Sequence, residues 1–200
     1  MLALMPVVLA QSKTLRDEVR EKGYAKHGFS EELPRSAPHT LDRLIKESSL
    51  IICGEVVNEV PRLTQDDSMV MTDYAIKITG ILKDPLQLMN VGDRIVVSKF
   101  GGNILLEGKP VEWATPGFPA IPWHISSIFF VAHANTPNQY WENTFVLANI
   151  GVWRFDAGKL QCETRQKKEA GYTASLCGKP EEEVLKQLQQ RITAQRSTNQ

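Results

Sequence analysis

The stretch MVMTDYAIKITGIL, residues 69–82, decides the fold. Tyr74, Ile76 and Ile78 alternate with Ala75, Lys77 and Thr79, so one face is apolar and the other mixed. A period of two is the signature of a β-strand with one face on a core. A run this long is expected to curl strongly. The pattern recurs on both sides, between Ser49 and Cys162. Leu50 to Val60 is β-rich and interrupted by Gly54, a position that suits a bulge or a close backbone approach. Arg94 to Phe100, Asn103 to Leu106 and Lys109 to Trp113 follow, the last two joined by the hairpin pair Glu107-Gly108. After a loop holding Pro116, Pro119 and Pro122, Ser126 to Ala134 reads as a buried strand. Thr144 to Asn149, Val152 to Phe155 and Lys159 to Cys162 complete the set, the last entered through Asp156 to Gly158. Many short strands with no helix between them predict antiparallel, mainly β architecture: a closed or partly open OB-like barrel.

The flanks read as helix. Ser12 is expected to cap a helix over Lys13 to Lys22, with Leu15 and Val19 on one face. Residues 23–39, rich in Gly and Pro, read as an irregular linker, and Thr40 precedes a short helix carrying Leu41, Leu44 and Ile45. Pro180 and Glu181 to Glu183 mark the start of a C-terminal helix over 180–193, because Pro suits the first turn and carboxylates favour the positive end of the dipole. Its expected apolar stripe is Val184, Leu185, Leu188 and Ile192, and the tail after Thr193 is expected to fray. The organisation is therefore a leader at 1–10, a helical flank at 11–48, the β domain at 49–162 and an extension at 163–200.

Two hundred residues suffice for one sizeable core. The 23 basic and 23 acidic side chains cancel, removing the long-range attraction that draws proteins to nucleic acid or anionic membranes. No nucleic-acid partner is expected. Residues 1–10 are almost wholly apolar, too short to span a bilayer, and end in Val8-Leu9-Ala10, which fits a signal-peptide cleavage site. The alternative is a buried N-terminal strand or helical turn. Export, to the periplasm or outside the cell, would place the three cysteines in an oxidising compartment. A Cys162–Cys177 disulfide is then expected, with two free thiols as the alternative, while Cys53 in its apolar run behaves as a small hydrophobe. No transmembrane span is expected in the mature chain.

Three segments resemble a group of secreted, largely uncharacterised bacterial proteins. They are Ser48 to Val57 with its apolar strand ending in Gly54, Thr72 to Ile78 leading into Ile81 to Asp84, and Gly92-Asp93 before a strand. Phe100-Gly101-Gly102, the Glu107 to Lys109 hairpin and Pro116 to Pro119 extend the likeness, which covers roughly Leu41 to Phe155. Asp84 stands where that pattern has a turn Gly, and His124 to Ser127 where it has a Gly-x-Tyr entry. More distantly the strand order is similar to netrin-like domains, the OB-type barrels that include tissue inhibitors of metalloproteinases. Those inhibitors reach a target's zinc through an N-terminal cysteine, which neither Met1 nor Gln11 supplies.

Catalytic motifs are absent from the sequence. It has no Gly-x-Ser-x-Gly elbow, no His-Glu-x-x-His pair, no Lys-Ser/Thr after Gly101-Gly102 and no Cys-x-x-Cys, so neither a cofactor nor a metal is expected. His124 and His133 lie an odd number of residues apart, hence on opposite faces of a regular strand. Asp66, Asp67 and Asp73 lack the spacing of a calcium loop and suit turns and strand edges. The aromatic residues Trp113, Phe118, Trp123, Tyr140 and Trp141, with His124, fall in or beside the loops Gly108 to His124 and Asn135 to Asn143. Exposed there, they would bind a protein or cell-envelope component; buried, they would pack under the loops. The expected function is an exported, non-enzymatic binding module, with an extracytoplasmic hydrolase using His124, Glu112 and Asp73 as the alternative.

Overall fold

The computed structural model describes residues 13–28, 40–114, 121, 123–133, 145–162 and 174–198. The fold is mainly β, with two sheets and a C-terminal helix. Helix α1 spans Leu15–Lys22, strand β1 Ala25–Gly28 and helix α2 Leu41–Glu47. Strands β2 (Leu50–Leu63), β3 (Val70–Lys83), β4 (Arg94–Phe100), β5 (Gly102–Leu106) and β6 (Lys109–Ala114) follow. Then come β7 (Ser127–His133), β8 (Phe145–Asp156), β9 (Lys159–Leu160) and the C-terminal helix α3 (Glu181–Thr198).

The larger sheet has the order β4-β3-β2-β7-β8-β9, and the smaller one β1-β6-β5. A short parallel pairing of Val97 and Ser98 with Phe145 and Val146 also brings β4 to β8. Strands β2 and β3 form the spine, paired antiparallel from Ile51 against Lys83 to Leu63 against Val70. The register shifts between Cys53 and Gly54, where a side chain on Gly54 would meet Ile76 Cγ2 and the Lys77 carbonyl oxygen, each at 2.7 Å. Gly54 therefore serves both expected purposes, bulge and close approach.

Alternation divides the core between two faces. Ile51, Cys53, Ile128, Phe130 and Trp153 point toward α2 and α3, where Leu44, Ile45, Val184, Leu188 and Ile192 meet them. Leu50, Ile52, Phe129 and Val131 point the other way, into a cluster with Tyr74, Ile76, Ile78 and Val97. Both faces of Leu50 to Cys53 and Ile128 to Val131 are thus covered, which is why these two runs are continuously apolar. A third cluster packs Leu15 and Val19 of α1 against Val70, Leu106 and Val111 beneath the small sheet.

Several local expectations are corrected. The N-cap of α1 is Thr14: its hydroxyl accepts from the Asp17 amide at 3.2 Å while the Asp17 carboxylate accepts from the Thr14 amide, a reciprocal capping box. Ser12 lies outside the described residues. The linker over 23–39 contains a strand, β1, which pairs parallel with β6, so the pairing is not wholly antiparallel. The two strands expected over 144–155 are one continuous β8. Helix α3 runs to Thr198 instead of fraying after Thr193, because Arg191 pairs with Asp42 at 2.9 Å and the Gln195 side-chain Nε2 donates to the Asp42 carbonyl at 2.8 Å.

Cys162 and Cys177 form a disulfide, with their Cα atoms 5.6 Å apart. It joins the exit of β9 to the turn before α3, a junction also held by Leu160 donating to Lys179 and Gly178 donating to Leu160. Residues 1–10, expected to be a leader, lie outside the described residues. No helix among the described residues is long and apolar enough to cross a membrane, which says nothing of crossing by strands.

Candidate functional site

The aromatic residues singled out by sequence do not form one described surface. Phe118, Tyr140 and Trp141 lie outside the described residues. Trp113 sits on the inner face of the small sheet, partly buried in the third core cluster. Its cross-strand neighbours explain the placement: Gly102 lies opposite it on β5 and His27 opposite it on β1. The His27 ring stacks on the indole with centroids 5.1 Å apart and planes 21° from parallel. His27 in turn meets the Glu18 carboxylate at 2.5 Å, so this aromatic pair anchors α1 to the small sheet.

Trp123 is different. Its side chain is 47% exposed although its backbone is held by an isolated parallel bridge to Val56 of β2. The His124 amide donates to the Val56 carbonyl at 3.1 Å, and His124 has a φ of 55°, in the left-handed region. This turn aims two adjacent aromatic side chains away from the core, with their rings edge to face at 6.2 Å. Non-glycine residues adopt positive φ only where surrounding contacts enforce it. Here the Val56–Trp123 bridge and the hydrogen bond from the His124 amide to Val56 hold the backbone.

The carboxylates of the hydrolase reading are engaged elsewhere. Asp73 accepts from Arg62 Nε at 2.6 Å and from the buried Ser98 hydroxyl, while Glu112 pairs with Lys26 at 2.9 Å. No hydrogen bond joins either to His124. His133 ends β7, whereas His124 lies in the turn before it. Asp66 and Asp67 shape the β2–β3 turn: Asp66 accepts from the Ser68 amide and hydroxyl, and Asp67, at φ 53°, holds Arg16 at 2.5 Å. Among the described residues no group of three or more His, Cys, Asp or Glu side chains is placed to hold a metal ion.

Cys53 is buried on the helix-facing side of β2 and unbonded. Burial pushes its thiol up to about 11, with a smaller contribution from the Glu181 carboxylate, so at neutral pH it is a protonated apolar side chain and not a nucleophile.

No protein-family model matches this chain, and no curated protein matches it.

Proposed function

We propose that this chain is an exported, non-enzymatic binding module that engages a protein or cell-envelope component through the loops Gly108 to His124 and Asn135 to Asn143. The observation that carries the reading is Trp123, an exposed indole on a backbone pinned to β2. A rigid exposed aromatic loses little conformational freedom on binding and buries a large apolar area, which is why such rings anchor interfaces. His124 beside it adds a polar edge. The Cys162–Cys177 bridge is compatible with an oxidising compartment and supports export. We read the larger sheet as a partly open OB-like barrel, a reading supported by the β4–β8 pairing. Neutral net charge argues against a nucleic-acid role for that barrel.

The experiment places a photo-crosslinking amino acid at position 123 of the full chain in its native host, with Glu182 on α3 as the control position. A discrete adduct from position 123 and none from position 182, on protein recovered from the envelope or medium, is the expected result. Chain recovered only from the cytoplasm with its thiols free, or identical adduct patterns at the two positions, would sink the reading.

A further inference from the structure

Among the described residues, the small sheet ends in an unpaired edge. Strand β5, with the sequence GNILL, pairs with β6 alone, and no other described strand lies beside it. Glu107 and Gly108 both have positive φ, 52° and 75°, which makes the β5–β6 connection a two-residue turn of the mirror-image type. In such a hairpin the residues flanking the turn, Leu106 and Lys109, exchange hydrogen bonds, and the alternation continues through Ile104 with Val111 and Gly102 with Trp113. Asn103 and Leu105 are therefore the residues whose main-chain N–H and C=O groups point away from β6. Pro110, which has no N–H, sits opposite Leu105 at a position where the hairpin needs none.

Nothing on β5 discourages pairing. The strand carries no charge and no proline, the usual devices that blunt an edge. The other edges differ: β9 is bridged to the segment before α3 through Lys159 and Pro180, β4 meets β8 at Val97 and Ser98, and β1 carries the charge of Lys26. Leu105 is 76% exposed and lies against a shallow groove of about 320 Å³ bordered by Asn103, Pro110 and Glu112.

We propose that β5 pairs antiparallel with β5 of a second copy of this chain, about a two-fold axis through Ile104. The edge is complementary to itself. Its two outward-facing residues are two positions apart, so Asn103 of one copy opposes Leu105 of the other and four main-chain hydrogen bonds form. No charge opposes its like at the seam, because β5 carries none. On the outer face the two Leu105 side chains meet diagonally across the axis, covering an exposed apolar group on each copy. On the inner face Ile104 opposes Ile104. A seam one strand wide is smaller than the ~1,600 Å² of a standard stable interface, so the dimer is weak and forms with rising concentration. The seam is made by the β5 main chain and does not use Trp123, and the inference does not rest on the proposed function.

Sedimentation velocity on the full chain with its disulfide intact tests this over roughly a hundredfold range of concentration. The expected mass rises from 22.5 kDa toward twice that value. Two variants target the seam: Leu105→Lys adds a charge to it, and Asn103→Pro removes an outward N–H while sparing every bond to β6. Both are expected to stay monomeric with wild-type circular dichroism. In the wild type, hydrogen exchange at the Asn103 and Leu105 amides is expected to slow as concentration rises. A mass constant at 22.5 kDa, association equal in wild type and both variants, or exchange at those amides independent of concentration would overturn the proposal. If either variant unfolds, the exchange measurement on the wild type decides alone.

Discussion

Gly54 of β2 lies against Ile76 of β3 so closely that a Cβ on Gly54 would stand 2.7 Å from Ile76 Cγ2 and equally near the Lys77 carbonyl oxygen. The backbone oxygen cannot swing away as a flexible side chain would. Gly54→Ala is therefore expected to force the β2–β3 pair apart and to destabilise the fold by about 1–3 kcal/mol, a typical cost of overpacking. Denaturant unfolding followed by circular dichroism measures this, and a loss under about 0.5 kcal/mol would contradict the packing described.

Removal of the Cys162–Cys177 bridge in a double Cys→Ser variant frees a loop of sequence separation 15. Closing a loop of that size stabilises a fold by roughly 3 kcal/mol through restriction of the unfolded chain. Reduction of the wild type should lower the melting temperature to that of the double variant. Wild type and variant melting alike before any reductant is added would show that the bridge does not form.

Cys53 gives a pH dependence of definite sign. Its folded thiol titrates near 11 against an ordinary value of 9.0, so between those values the folded state holds a proton that the unfolded state has released. The stability tied to this proton is fully present below pH 9 and is lost as pH rises toward 11, a total on the order of 3 kcal/mol. Comparing the alkaline stability slope of wild type with that of Cys53→Ala isolates the contribution from lysines and tyrosines. Equal slopes would refute it. In native protein at pH 8 the thiol should also resist alkylation until the chain unfolds.

Trp113 and Trp123 should separate cleanly. Trp113→Leu loses the stack on His27 and leaves a gap in the third core cluster, at an expected cost of about 2 kcal/mol. Trp123→Ala removes an exposed ring and should change stability by no more than about 0.5 kcal/mol. Unfolding curves of the two variants provide the check, and a larger loss from Trp123→Ala than from Trp113→Leu would reverse the assignment of anchor and surface.

Most of the central strands were legible because they signal themselves locally, although β8 read as two. The alternation of Tyr74, Ile76 and Ile78 and the Glu107-Gly108 turn need no distant partner to be read. Strand β1 was not legible: its four residues, Ala25 to Gly28, have no period of their own and become a strand only through β6, whose Val111 pairs with Ala25 from 86 positions away. The α1 cap was displaced by two residues because Ser12 and Thr14 are chemically similar, and only Thr14 has a carboxylate, Asp17, three positions on to complete the box.

By itself the chain determined its mainly β class and the Glu107-Gly108 hairpin, since periodicity and turn chemistry are local properties, whereas the pairing of Cys162 with Cys177 over two free thiols was decided by the fold that brings their Cα atoms to 5.6 Å. Tertiary structure alone decided which aromatic side chains face solvent. Trp113 and Trp123 are the same residue type in neighbouring segments, yet one is covered by α1 and β1 while the other is aimed outward by the Val56 bridge. Exposure depends on what folds over a residue from elsewhere in the chain, and no local pattern encodes that.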